Sequence, residues 1–310
     1  MTTTVISGVL ARCDFEGGGA GGGPAPVPLA VSGGPDSMAL LVLAVAAGLD
    51  PVAIHVDHGL RPGSSADAEL VESVASRLGA GFEARSLQVE SGPDLEARAR
   101  AARYDALPAT VMTGHTMDDQ AETVLLNLLR GAGLDGLAGM RPHQPGRPRR
   151  PLLGIRRTET AAVCREAGIT PLSDPMNGDP RFRRNRVRSE LLPLLESIAG
   201  RDLVPILARQ AELLDADAHL LDDLAAGIDP GDARSLRSAP TPLARRSVRN
   251  WLRQAGAFPD PELHPPSAAE VGRVLGVAAG QAQACELTGG RRVERRVGRL
   301  VVTSGAPADR

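Results

Sequence analysis

Two short segments of the chain bring together side chains whose types and spacing can do chemistry. The first is Ser32-Gly33-Gly34-Pro35-Asp36-Ser37, set between an apolar run at 27–31 and an apolar stretch at 38–47. A strand that feeds a Gly-Gly turn and then a helix start aims several backbone N–H groups at the positive end of a helix dipole, and two hydroxyls stand ready to add hydrogen bonds. Glycine permits positive φ and a close approach of phosphate oxygens to the backbone. The chemistry is phosphate binding, yet the loop is not of the GxxxxGK[ST] type, which needs a lysine to reach the β- and γ-phosphates. This chain has no lysine, all 35 of its basic residues being arginine.

The second segment is 113–123, where His115, Asp118, Asp119 and Glu122 fall within eight residues. Thr116 and Asp119 have the spacing of a capping box, which predicts a helix beginning there. On that helix His115 and Asp119 lie one turn apart, as do Asp118 and Glu122, so carboxylates share a face near the helix start. Acids in a first turn answer the helix dipole in any protein. Four functional groups where a strand meets a helix, beside a phosphate loop, form a candidate catalytic site. HExxH spacing is absent, so no dedicated metal site is expected.

These residues need a scaffold to hold them. Strand-length apolar runs at 29–31, 52–56, 81–87, 110–113 and 150–153 alternate with helix-length amphipathic stretches at 37–47, 66–78, 95–107, 118–129 and 158–167. Such alternation predicts an α/β fold, a parallel sheet with helices on both faces, in which ligands bind at the carboxyl ends of the strands. The polar clusters at 32–37, at His55 and Asp57, and at 113–115 all fall at such ends.

The chain of 310 residues exceeds the usual length of one domain. A Gly/Pro/Ala-rich stretch at 17–28 predicts a flexible lead-in over 1–28. The catalytic domain is expected over 29–200, a long linker helix over 201–227, and a smaller, mainly helical domain with a hairpin-like tail over 228–310. Trp251 shares a helical face with Leu243, Val248 and Leu252 and reads as core.

Net charge is only −2, but its distribution is uneven. Between 141 and 188 there are 12 arginines against four acids, and between 234 and 299 there are 12 against five. Two basic stretches in a near-neutral chain are the electrostatic footprint of a phosphate-backbone binder. Aromatic residues make up 2% of the chain, so recognition would rest on phosphates, shape and arginine planes rather than on a stacking platform. Cys13, Cys164 and Cys285 are scattered and odd in number, which writes no disulfide framework and no CxxC site. A reducing cytoplasm is the expected compartment. No signal peptide and no apolar run of membrane-spanning length is present.

The SGGxDS pattern resembles the PP-loop of ATP pyrophosphatases, which cut ATP between the α- and β-phosphorus atoms. A narrower resemblance rests on several motifs in order: SGGPDS, HVDHGLRPGSSADAE at 55–69, RARAARYDAL at 98–107, TGHTMDDQAETVLLNLLRGAGLDGLAGM at 113–140, RPLLGIRR at 150–157 and DPMNGDPRFRRNRVRSELLPLL at 174–195. Together they resemble the tRNA(Ile)-lysidine synthetase family over about 29–200. The resemblance implies a ligase that forms a C–N bond, joining L-lysine to carbon 2 of the wobble cytidine in a CAU anticodon while ATP goes to AMP and pyrophosphate.

It also implies roles. Ser32, Gly33, Gly34, Pro35, Asp36 and Ser37 would hold the pyrophosphate of ATP and its Mg²⁺, with His55, Asp57 and Gly114 completing the nucleotide site. Asp36, Arg103, His115, Asp118, Asp119 and Glu122 would be catalytic, and Asp118 and Glu122 would bind lysine. The tRNA would lie on Arg181, Arg183, Arg184, Arg186 and Arg188 and on Arg291, Arg292, Arg295 and Arg296. Family members are often homodimers, although no interface is written in these residues. Ser189 stands where the family commonly has histidine, so it is given no catalytic role. A PP-loop cytidine thiolase is the rival reading; it would need paired cysteines. An NAD synthetase would not need two basic patches, and the density of groups at 115–122 argues against a non-catalytic RNA-binding module.

Overall fold

A computed structural model of the chain describes residues 4–15, 26–57, 64–87, 106–172, 179–254 and 266–304. Helix α1 is Val5–Leu10, followed by β1 Val27–Ala30, α2 Pro35–Ala46, β2 Pro51–Asp57, α3 Ser64–Leu78, β3 Gly81–Ser86, β4 Met112–Thr113 and α4 Met117–Leu129. The four strands are parallel in the order β3-β2-β1-β4, with Leu29 opposite Ala53 on one side and Met112 on the other. The central strand β1 is the most apolar because layers of helix cover it. Leu29 and every residue of α2 from Met38 to Ala44 are buried, so α2 is a core helix with its N-terminus at the end of β1.

Two expectations are corrected at the margins of this sheet. The lead-in over 1–28 is not featureless, because Thr4 caps α1 and Val9 is buried in the core with Ile6 and Leu10 packed beside it. Apolar residues at 6, 9 and 10 follow the helical period, a signal that the glycine-rich stretch after them obscures. The strand expected at 150–153 is a turn, and among the described residues the sheet is extended by a single parallel bridge between Met112 and Arg149. Pro148 and Pro151 flank that bridge, and proline brings no N–H to a ladder. The expected third crossover helix over 95–107, including Arg103, lies mostly outside the described residues.

Beyond the sheet come α5 Leu134–Leu137, α6 Arg157–Glu166, α7 Arg183–Arg186, a π-helical turn at Val187–Leu191, α8 Leu192–Ala199 and α9 Val204–Ala226. A second apolar cluster joins Ala121 and Leu125 of α4 to Val187, Leu192 and Val204. It holds the arginine-rich segment against the acid-bearing helix.

The chain divides into two compact units, Met1–Leu214 and Asp215–Arg310, with the division inside α9 rather than at its ends. The second unit has α10 Ala233–Ser238, α11 Thr241–Gln254 and α12 Ala268–Ala279, then an antiparallel meander of β5 Ala284–Leu287, β6 Arg291–Arg296 and β7 Arg299–Ser304. The tail is thus three-stranded, one strand more than a hairpin. Its core comprises Leu236, Val248, Leu252, Val271, Val274, Val277, Val293 and Leu300, with Trp251 packed against them as the helical spacing predicts.

Candidate active site

The phosphate loop is built by the end of β1 and the start of α2. Gly33 has φ +88°, and a Cβ there would also strike the Leu172 side chain. Its carbonyl accepts the Leu172 N–H at 2.9 Å. Ser37 closes the loop from inside. Its Oγ accepts the Ser32 N–H at 3.2 Å and donates to the Gly34 carbonyl at 3.0 Å. The Ser37 side chain is therefore a brace within the loop, its Oγ also meeting the Ser32 hydroxyl at 3.2 Å, while Ser32 itself stays exposed. Asp36 occupies the first turn of α2 and points toward α6, where Thr160 donates its hydroxyl to it.

Gly114, at the exit of β4, is where the second segment meets this loop. A Cβ at 114 would lie 2.7 Å from the Asp36 carbonyl oxygen and 3.0 Å from the Ser37 nitrogen. Both are backbone atoms, so only glycine allows the approach. Two residues later Thr116 caps α4, and the capping box forms as its spacing predicts: Asp119 Oδ2 accepts the Thr116 N–H at 2.8 Å. His115 lies between these features, its Nδ1 2.7 Å from the Thr113 hydroxyl.

The carboxylates of Asp36, Asp118, Asp119 and Glu122 converge, and arginines from two other segments meet them. Glu122 is 1% exposed and lies at the centre. Arg188 grips it through Nε at 2.7 Å and Nη2 at 3.1 Å, Arg184 Nε donates at 2.8 Å, and Arg157 Nη1 at 3.2 Å. Asp119 Oδ1 accepts from Arg157 at 3.0 Å and Arg184 at 3.1 Å. Asp118 Oδ2 accepts the Arg157 backbone N–H at 2.8 Å and Arg156 Nε at 3.2 Å. The π-helical turn follows directly on α7, and Arg184 and Arg188 both point at α4 from this segment.

Electrostatics separate these acids. Burial raises the Asp36 pKa from its ordinary value, although the Thr160 hydroxyl and the Arg157 charge oppose it. Burial also works against ionised Asp119, but the charges of Arg184, His115 and Arg157, with the Thr116 N–H, lower its pKa overall. Arg157 is raised despite its burial because Asp119, Glu122 and Asp36 surround it. Four acids and four arginines, counting Arg156, thus form a charge-balanced cluster beside a phosphate loop.

Of the residues expected at the site, Asp36, Gly114, His115, Asp118, Asp119 and Glu122 come together. His55 is buried, and its Nδ1 donates to the Val31 carbonyl at 2.9 Å, tying β2 to the end of β1. Asp57 ends β2, where its carbonyl accepts the Leu87 N–H at 2.8 Å. Arg184 and Arg188 are turned inward onto Glu122, so they are not the exposed phosphate contacts expected of them. Arg181 pairs with Asp179 and Arg186 with Glu190, both at the surface. Ser189 donates to the Asn185 carbonyl of its own helix at 2.8 Å. Arg156, Arg157 and Thr160 escape the sequence reading. The two arginines had a signal in the RPLLGIRR motif, whose last two residues are the N-cap and first residue of α6; Thr160 lies outside it.

Known proteins resemble this chain in sequence and in fold. A family model described as a PP-loop domain matches residues 23–195. The tRNA(Ile)-lysidine synthase of Mycolicibacterium paratuberculosis is 48% identical over 242 residues, 74% of this chain and 75% of that one. That of Nocardia farcinica is 46% identical over 252 residues, covering 76% and 78%. Among solved structures, the U34-tRNA thiolase NcsA of Methanococcus maripaludis with its [4Fe-4S] cluster superposes with a TM-score of 0.50 at 16% identity, over 68% of this chain and 78% of that one, a likeness of fold. With the phosphate loop, the acid helix and these relatives in agreement, the chain belongs to the tRNA(Ile)-lysidine synthase family of PP-loop proteins.

Proposed function

We propose that this chain ligates L-lysine to carbon 2 of the wobble cytidine in the CAU anticodon of tRNA(Ile), changing its decoding from AUG to AUA. In the first step the cytidine O2 attacks the α-phosphorus of ATP and pyrophosphate leaves. In the second an amine of lysine attacks carbon 2, AMP departs with the former O2, and a C–N bond has formed. The contact of Gly114 with Asp36 carries this reading, because it sets a phosphate loop directly against a helix start dense in carboxylates.

The N–H groups of the loop and the hydroxyl of Ser32 would take the pyrophosphate of ATP. Mg²⁺ is commonly held by one or two carboxylates together with substrate phosphates, and Asp36 in the first turn of α2 fits that donor set. It would hold the ion that neutralises phosphate charge. Asp118 and Glu122, with Asp119 between them, supply negative charge for the ammonium of lysine. Both oxygens of Glu122 are engaged by arginine, so an ammonium reaches it only as a guanidinium turns aside. A carboxylate or His115 would take the proton that the ammonium must lose before it can attack. Arg103 keeps its proposed place among the catalytic groups through its motif alone.

For the tRNA, Arg181, Arg183 and Arg186 remain as contacts in the first unit. On β6 the alternation about Val293, which is buried, divides the arginines: Arg292 and Arg296 are exposed on the outer face, while Arg295 donates to the Ala278 carbonyl at 3.4 Å. Arg292 and Arg296 are therefore the better candidates of the four for phosphate contacts. No helix among the described residues is long and apolar enough to cross a membrane, and work on tRNA would place the protein in the cytoplasm. The thiolase reading gains no support from the cysteines: burial pushes Cys13 up to about 12 and Cys164 up to about 11, away from reactive thiolate.

The test is incubation with ATP, Mg²⁺, labelled lysine and an unmodified CAU-anticodon transcript. Label on the RNA, with one AMP formed per lysine, is the expected result. AMP formation without label would leave only adenylation and remove lysine as the substrate. The variants Asp118→Asn and Glu122→Gln should raise the KM for lysine or stop its transfer while the tRNA is still adenylated.

A further inference from the structure

Arg157 is the first residue of α6, and its guanidinium meets carboxylates carried by two other helices. Nε lies 3.4 Å from Asp36 on α2, while Nη2 lies 3.0 Å from Asp119 and Nη1 3.2 Å from Glu122, both on α4. Its backbone N–H donates to Asp118. Arg184 and Arg188 also reach Asp119 and Glu122; Arg157 carries the link onward to the phosphate-loop acid. The Asp36 and Asp119 carboxylates thus flank one guanidinium, which supplies the positive charge between the loop and the acid helix. A guanidinium is suited to that place, because its planar fork of five N–H groups can serve three carboxylates at once, whereas an ammonium is a point charge on a flexible stem. The base of the side chain is fixed as well. Thr160, one turn along α6 and fully buried, contacts both the Asp36 carboxylate and the Arg157 carbonyl.

From this we infer that Arg157 is a positioning residue that sets the spacing between the phosphate loop and the acid helix, and so couples activation of the cytidine to attack by lysine. The inference rests on the proposed function, and it assigns Arg157 no contact with the reacting atoms. Glu122 keeps Arg184 and Arg188 when Arg157 is removed, so the principal loss is the tie to Asp36 and not the fold.

The experiment compares Arg157→Ala, Arg157→Lys and wild type for lysine transfer and for the KM of ATP, with and without millimolar guanidinium chloride. Misplacing reacting groups by about 1 Å costs about 100-fold, and kcat of Arg157→Ala should fall by that order. The KM for ATP should stay within about threefold of wild type, since ground-state binding by the loop is intact. Guanidinium should restore the rate of Arg157→Ala saturably, while sodium chloride at equal ionic strength should not, and Arg157→Lys should recover less than the rescued alanine variant. Wild-type kcat in Arg157→Ala would overturn the inference. So would a folded alanine variant that does not respond to guanidinium, or a KM for ATP that rises with kcat unchanged, which would make Arg157 a phosphate ligand. If Arg157→Ala does not fold, Arg157→Gln is read for guanidinium rescue in the same way. A wild-type protein that transfers no lysine would refute the function instead; guanidinium-dependent recovery of ATP-driven pyrophosphate release in Arg157→Ala would then still read the tie.

Discussion

In the first unit Arg157, Arg184 and Arg188 turn inward onto Asp119 and a fully buried Glu122, whereas on β6 of the second unit Arg292 and Arg296 stand outward beside Glu286 and Glu294. The residue type is the same and the local sequences are equally basic, yet the physics differs. A charge withdrawn from water must be paired and hydrogen-bonded on every side, and breaking the pair leaves an uncompensated ion. An exposed pair is solvated already and contributes little. The inward arginines therefore hold a site in shape, while the outward ones are available to exchange glutamate for another anion. Basic composition by itself does not distinguish a nucleic-acid surface from the counter-ions of a catalytic centre.

The strongest way to break this comparison is Glu122→Gln. It removes one charge from beneath three guanidinium groups, and loss of one partner of a buried pair costs about 3–5 kcal/mol. Denaturant unfolding of the intact chain should register that loss. A change of less than ~1 kcal/mol would mean that the cluster behaves like a surface network.

A smaller effect is expected for Gly114→Ala, which drives a methyl group into the Asp36 backbone. Overpacking of this kind costs about 1–3 kcal/mol, and ATP-dependent pyrophosphate release should fall with it because the loop must shift. Full activity in this variant would show that the loop and the acid helix need not touch.

The second unit has its own buried acid, and it sharpens the contrast because no arginine is needed. Burial disfavours ionised Glu270, but the Ser267 hydroxyl and the Thr288 N–H outweigh it and hold its pKa down to about 2. A depressed carboxylate stabilises the fold above its unfolded pKa, and that contribution fades as pH falls from the ordinary glutamate value of 4.5 toward about 2. Glu270→Ala should cost about 1.5–3 kcal/mol at neutral pH, the usual worth of hydrogen bonds made to a charged group. Its stability should converge with wild type in acid, as thermal melts across pH would test.

The smallest effect on stability, and the clearest on binding, belongs to Arg292→Ala with Arg296→Ala. Exposed substitutions of this kind stay within about ±0.5 kcal/mol. For every phosphate that these arginines neutralise, their removal should flatten the dependence of log Kd for tRNA on log salt by roughly 0.7 to 0.9. An unchanged slope would place the RNA elsewhere.

What the sequence determined by itself is what rests on near neighbours along the chain. The alternation of apolar runs specified the parallel sheet, the Gly-Gly turn specified the phosphate loop, and the three-residue spacing of Thr116 and Asp119 specified the capping box that begins α4. Each depends on dihedral preference or on groups within one helical turn, so it can be read without knowing the fold. Tertiary structure alone decided the partners of the acids. Arg157 is 121 residues from Asp36, and Arg188 is 66 from Glu122; no period along the chain links them. It likewise tied the His55 ring to the Val31 carbonyl across two strands and the Ser37 hydroxyl to the Gly34 carbonyl of its own loop. An arginine reads the same in sequence whether it faces water or a buried carboxylate, because the difference lies in the dielectric around it, and that exists only once the chain has packed.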